Sequence, residues 1–163
     1  MAVTRNITAT YRGPGRVVSG LLALGQREDR ALAYLMAGCV LMFIGQMPSL
    51  ARQAHLTGED LQMMMGGALL GWVFLAPLAL YGISAVTHIL ARLIFRGKGS
   101  FYGARLALFW AILAAAPLFL LVGLVAGFLG QGLEWKLVGA LWLACLFWFW
   151  LAGLIAAERN EGP

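Results

Sequence analysis

The densest run of chemistry in the chain is Ser84, His88, Arg92 and Arg96, four residues at i, i+4 spacing. On a helix this spacing places them in one stripe. A hydroxyl, an imidazole and two guanidinium groups in line suit contact with an anionic ligand or lipid headgroup, with Arg105 as a further cation. The plainer reading is a row of basic side chains snorkelling from a helix end towards the headgroups. His88 is also the ionisable side chain placed nearest a span interior, and so the candidate for a polar contact between helices.

Other reactive residue types do not assemble into a catalytic pattern. Gly82-Ile83-Ser84-Ala85 has the Gly-x-Ser start of an intramembrane serine protease motif. Its second glycine is missing, however, and His88 shares the helix of Ser84 instead of facing it. His55, Glu59 and Asp60 stand close together, but nothing fixes them as an acid/base pair. The two acids suit the first turn of a helix, where the dipole favours negative charge. Cys39 and Cys145 sit singly in apolar runs without a ligand at metal spacing, and read as small packing residues. Met63, Met64 and Met65 are adjacent and cannot point at one metal from a helix. No phosphate-cradling loop occurs. The expectation is a non-enzymatic protein with no catalytic residue, no cofactor and no metal.

The elements that position these residues follow from composition. The chain has 163 residues, of which 61% are hydrophobic and only 12% charged, and its mean hydropathy is +0.82. A soluble domain keeps about a quarter of its residues charged, so this apolar surface calls for a bilayer. The net charge of +5 does not imply nucleic acid, because the charges flank apolar runs instead of forming one basic face.

A helix crosses the hydrocarbon core with about 20 apolar residues. Four stretches qualify: 31–50, 63–90, 106–129 and 137–157. They predict an all-α, polytopic membrane helix bundle of about four transmembrane helices, since lipid leaves every backbone amide to bond within its own helix. Residues 1–30 form an N-terminal segment, 31–157 a single transmembrane domain and 158–163 a tail. The first thirty residues are polar and basic and no Ala-x-Ala site follows the first run, so that run reads as a retained signal anchor. Asn6-Ile7-Thr8 fits a glycosylation sequon, but falls on the side expected to be cytoplasmic.

Arginine placement sets the orientation. Arg5, Arg12, Arg16, Arg27, Arg30, Arg92, Arg96, Lys98, Arg105 and Arg159 fall on one side, and Arg52 and Lys136 on the other. Both termini and the 92–105 connection are therefore expected in the cytoplasm. Arginine in place of lysine, with abundant Ala, Gly and Leu, fits a GC-rich bacterial gene and hence a bacterial inner membrane. Trp72, Trp110 and Trp135 suit aromatic belts at the interfaces, whereas Phe147 to Trp150 is expected deeper, against lipid or a partner helix.

Residues 14–27 have amphipathic periodicity. Val17, Val18, Leu21, Leu22 and Leu24 fall on one face, and Arg12, Arg16, Ser19, Gln26 and Arg27 opposite. With Pro14 suited to the first turn, this predicts an interfacial helix lying on the cytoplasmic leaflet, its arginines on anionic headgroups. The alternative is a lid packed under the spans. Pro77 and Pro117, near the middles of the second and third spans, predict helix kinks. The pairs Gly67/Gly71 and Gly123/Gly127 are small-xxx-small spacings that permit close helix contact.

Pro14-Gly15-Arg16-Val17-Val18 through Leu21-Leu22, then Arg27-Glu28-Asp29-Arg30-Ala31-Leu32-Ala33, then Met47-Pro48-Ser49-Leu50-Ala51-Arg52 and helices with central prolines form an order. That order resembles bacterial members of the Yip domain family, the Ypt/Rab-interacting type of small multipass membrane protein. The resemblance implies a trafficking-type scaffold that binds other membrane proteins. This chain departs from the family by having four spans in place of about five, and by lacking the Asp-Leu-Tyr-Gly-Pro-type motif, so GTPase binding is not carried over. The expected role is an accessory or scaffolding membrane subunit, its partners being anionic lipids and other membrane proteins or a second copy. The alternative is a small transporter or channel, resting on the prolines and glycines.

Overall fold

The structure is a computed structural model and describes residues 3–95 and 100–159. Two short helices come first: α1, Val3–Thr10, and α2, Pro14–Leu22. The four long elements follow. The first is α3, Glu28–Thr57. The second begins as α4, Leu61–Leu70, passes through a π-helical turn, Gly71–Leu75, and continues as α5, Ala76–Phe95. The third is α6, Phe101–Phe128, and the fourth α7, Leu133–Arg159. All four are long and apolar enough to cross a membrane, and no strand occurs among the described residues.

Helix ends are set by local chemistry. The Asp60 carboxylate accepts from the Gln62 amide at 2.8 Å and caps α4. The Ser100 hydroxyl accepts from the Gly103 amide and caps α6. At Gly58 the chain leaves α3 with φ of 74°, a left-handed conformation that glycine adopts without strain. The long helices outrun the apolar stretches: α3 extends to Thr57 and α7 starts at Leu133. Hydropathy marks where lipid ends, whereas the helix continues until its capping groups. Pro48, inside α3, does not stop it.

The centre of the bundle is α6, with 61% of its apolar window buried, against 39% for α3, 11% for α7 and 6% for the second span. Helices in lipid gain little from apolar burial as such and associate through close van der Waals packing. Small residues provide it here. Gly38 and Gly45 of α3 lie against Ile112 and Phe119 of α6, Gly123 meets the Gly45 carbonyl, and a Cβ on Gly127 would stand 2.5 Å from Pro48. The Gly123/Gly127 pair is thus a helix contact. Gly67 and Gly71 have nothing within 4 Å of an added Cβ, so that identical spacing seats no helix among the described residues.

The starts of α3 and α6 lie at one end, joined by Arg105 to Glu28 at 2.5 Å and by the Tyr102 hydroxyl donating to the Arg27 carbonyl. The ends of α5 and α7 meet at this same end. At the other end Arg52 donates to the Gly127 and Phe128 carbonyls, the unpaired C-terminus of α6. The first end carries most of the arginines and is called the basic end below.

The two central prolines behave differently. The π turn ends just before Pro77, with the Ala76 amide reaching back to the Gly71 carbonyl; the widened turn falls where the missing proline N–H would interrupt an α-helix. α6 runs through Pro117 as α-helix on both sides.

Candidate functional site

Two groups of polar residues stand out. The first is built on the N-terminal segment. α2 spans 14–22, shorter than the amphipathic stretch 14–27, and its apolar face meets the bundle. Val18 and Leu21 are buried, a Cβ on Gly15 would stand 3.2 Å from the Ala152 carbonyl of α7, and one on Gly153 would stand 3.1 Å from Val18. A helix amphipathic enough to lie on a membrane is equally suited to cover protein, and here small residues on α7 leave room for it.

The corner between α1 and α2 reaches well into the bundle. The Trp110 indole N–H donates to the Thr10 hydroxyl at 3.0 Å, and the Tyr11 hydroxyl donates to the Ala114 carbonyl at 3.1 Å. Tyr11 also stands edge-on to Phe149, ring centroids 4.9 Å apart. Ala114 lies thirteen positions after Phe101, about 20 Å along α6 at 1.5 Å per residue. Pro117 supplies no N–H to the Leu113 carbonyl, so backbone pairing is already reduced beside the Tyr11 contact. Burial, and to a smaller extent Cys145, raises the Tyr11 phenol above its ordinary pKa, which keeps it a donor. Trp110 is therefore covered by this segment.

The outer side of the corner is basic. Arg5, Arg12 and Arg16 line one cleft of about 470 Å³ with Thr8, Ala9, Gly13 and Val17. Arg16 also lines a neighbouring cleft of about 440 Å³ with Gly15, Ser19, Ala152, Ile155, Ala156 and Arg159.

The second group surrounds His88. Its ring is buried, 4.0 Å from the Phe101 ring, with Nδ1 3.5 Å from Glu158 Oε1. Ser84 is buried too and donates to the Tyr81 carbonyl of its own helix at 2.7 Å, which engages its proton. The predicted stripe divides, because each i, i+4 step turns about 40° around the helix. Ser84 and His88 face the bundle and Arg92 is exposed. Arg96 lies outside the described residues. Arg27 pairs with Asp29 at 2.9 Å on the surface, and Arg105 pairs with Glu28. Of the predicted anion-contacting residues that are described, Arg12 and Arg16 line one cleft together.

Sequence reasoning passed over Arg5, Thr10, Tyr11, Gln46 and Glu158. Gln46 accepts from the Trp72 indole at 2.9 Å, a polar contact between α3 and the second span. The signal was available for Gln46, a lone amide in an apolar run. None existed for Thr10 and Tyr11, whose partners are about a hundred residues away. Among the described residues no three His, Cys, Asp or Glu side chains gather where a metal ion could be held. Set against protein family models, curated proteins and solved structures, the chain matches none.

Proposed function

We propose that this protein works by association and not by turnover, as an accessory or scaffolding subunit of a membrane assembly. On this reading its second span meets another membrane protein or a second copy, and its basic end meets anionic headgroups on the cytoplasmic side of a bacterial inner membrane. The observation carrying the proposal is the second span itself. Only 6% of its apolar window is covered by the rest of the chain. Its glycines 66, 67 and 71 face open space. Beside the π turn, Gln46, Ala68, Gly71, Trp72, Leu75, Ala76 and Ala79 line an apolar groove of about 420 Å³. Small residues flanked by larger ones suit the seating of a further helix. The Yip-type resemblance points the same way, and positive-inside placement supports cytoplasmic termini.

Site-directed crosslinking in native membranes tests it. A single cysteine at Leu78, which is exposed, is expected to crosslink into one discrete larger species, and Gly67→Trp should abolish that species while leaving the protein folded. A protein that stays uncrosslinked at 78 and migrates as a lone monomer in mild detergent contradicts the proposal. Solute flux in proteoliposomes, lost on His88→Ala or Pro117→Ala, would support transport in its place.

A further inference from the structure

We infer that the two clefts sharing Arg16 form one site for a phospholipid headgroup carrying two phosphates, one phosphate held by Arg5, Arg12 and Arg16 and the other by Arg16 and Arg159. This deepens the lipid-contact part of the reading above and does not depend on a protein partner.

The first support is unbalanced charge. Arg5, Arg12 and Arg16 converge on a single cleft, and among the described residues no ion pair engages them. The acids are committed elsewhere. Glu28 holds Arg105, Asp29 holds Arg27, Glu158 faces His88 and Asp60 caps α4. Glu59 and Glu134 belong to the opposite end of the bundle, and Glu161 lies outside the described residues. Like charges held together near lipid repel more strongly than in water, so the cleft is most stable with an anion in it. Guanidinium forks match phosphate oxygens in pairs.

A second support is the backbone beneath. α2 begins at this cleft, and its N-cap position is Gly13, with no side chain to satisfy the first-turn amides. The positive end of the helix dipole then points where an anion would sit. The Arg16 side chain folds back over the same spot: a Cβ on Gly13 would stand 3.3 Å from its Nε.

The third support concerns the source of the phosphate. The corner is pinned to α6 by Thr10 and Tyr11, alongside segments that cross the bilayer. The wall of the second cleft is Ala152, Ile155 and Ala156 of α7, and Ile155 is exposed. A soluble anion has no use for an apolar wall, whereas the glycerol and upper acyl carbons of a lipid do. Arg16, common to both clefts, sets the two phosphate positions side by side, as on a diphosphatidylglycerol lipid.

The test is native mass spectrometry of the full chain in detergent, titrated with diphosphatidylglycerol, with phosphatidylglycerol at matched charge, with phosphatidylcholine and with inorganic phosphate. One diphosphate lipid per chain is expected, bound more tightly than the others and not displaced by inorganic phosphate. Arg12→Gln with Arg16→Gln should weaken it about tenfold or more, at roughly 1 kcal/mol per arginine. Arg27→Gln with Arg92→Gln, which removes the same charge elsewhere, should change it less than about twofold. Should the first pair fail to fold, Arg5→Gln alone must still weaken binding. Equal weakening by both pairs overturns the site in favour of general attraction to the basic end. Equal affinity for the one- and two-phosphate lipids overturns the paired geometry, and displacement by inorganic phosphate overturns the lipid source. Indifference to anionic lipid of any kind would remove both this inference and the lipid-contact reading, whereas anionic binding insensitive to Arg5, Arg12 and Arg16 removes this inference alone.

Discussion

The Trp110 indole donates its proton to the Thr10 hydroxyl at 3.0 Å, a buried contact between residues one hundred positions apart. Thr10 in turn donates to the Asn6 carbonyl at 2.7 Å, so the hydroxyl acts as donor and acceptor at once. Tyr34 of α3 stacks edge-on against the same indole, centroids 5.0 Å apart. One side chain thereby ties the N-terminal segment to both central helices, and α1 with α2 becomes part of the membrane domain.

Thr10→Val keeps the shape and removes the acceptor, leaving the Trp110 N–H buried without a partner. Hydrogen bonds between membrane helices average about 0.6 kcal/mol and reach about 1.7, and an orphaned buried donor costs on the order of 1–3. The expected loss is therefore about 1–2 kcal/mol. In a Trp110→Phe background the same substitution should cost much less. Reversible unfolding in mixed micelles, followed by tryptophan fluorescence, measures the cycle. Equal costs in both backgrounds would mean that the contact does not form.

Gly123 and Gly67 make opposite predictions from the same residue type. A Cβ on Gly123 collides with the Gly45 carbonyl, and one on Gly67 meets nothing within 4 Å. Gly123→Ala must separate α3 from α6 and should destabilise by roughly 1–3 kcal/mol or more, as overpacking does. Gly67→Ala should leave stability unchanged or raise it by about 0.5–1 kcal/mol, since alanine loses less backbone freedom. Comparable destabilisation by the two would put the α3–α6 interface elsewhere.

His88 and Glu158 should be coupled. His88→Phe preserves ring packing on Phe101 but withdraws the imidazole nitrogen 3.5 Å from the carboxylate. Removing one member of a buried polar pair costs on the order of 1–3 kcal/mol, whereas replacing both costs less than the sum. The double substitution His88→Phe with Glu158→Gln should therefore fall short of additivity by about 0.5 kcal/mol or more. Strict additivity in the unfolding free energies would show that α5 and α7 do not meet through these groups.

The spans were legible because hydropathy reports the solvent, and hydrocarbon demands helix. Their ends were less so: Asp60, Ser100 and Gly58 decide where the helices begin and stop, beyond the apolar limits at Leu50 and Met63. The N-terminal segment was half legible. Periodicity identifies the apolar face of Val18 and Leu21, but lipid and protein offer that face the same chemistry, and only the small residues where the helices meet, Gly153 against Val18 and Gly15 against Ala152, show how it seats on α7. The predicted stripe from Ser84 to Arg96 drifts around its helix, which sets Ser84 and His88 inside the bundle and Arg92 on its surface, with Arg96 outside the described residues. The cleft of Arg5, Arg12 and Arg16 needs the turn at 11–13, which sets Arg16 of α2 beside the arginines that precede it.

Everything rests on a chain threaded four times through a bilayer with both ends on one side. Thiol labelling in sealed membrane vesicles tests this most directly, with Cys39 and Cys145 replaced by alanine and single cysteines placed at Gln26, at His55, at Gly132 and in the tail at Glu161. The account predicts that an impermeant reagent reaches 26 and 161 from one face only, and 55 and 132 from the opposite face only. Labelling of 26 and 161 from different faces, or of all four from the same face, would contradict it.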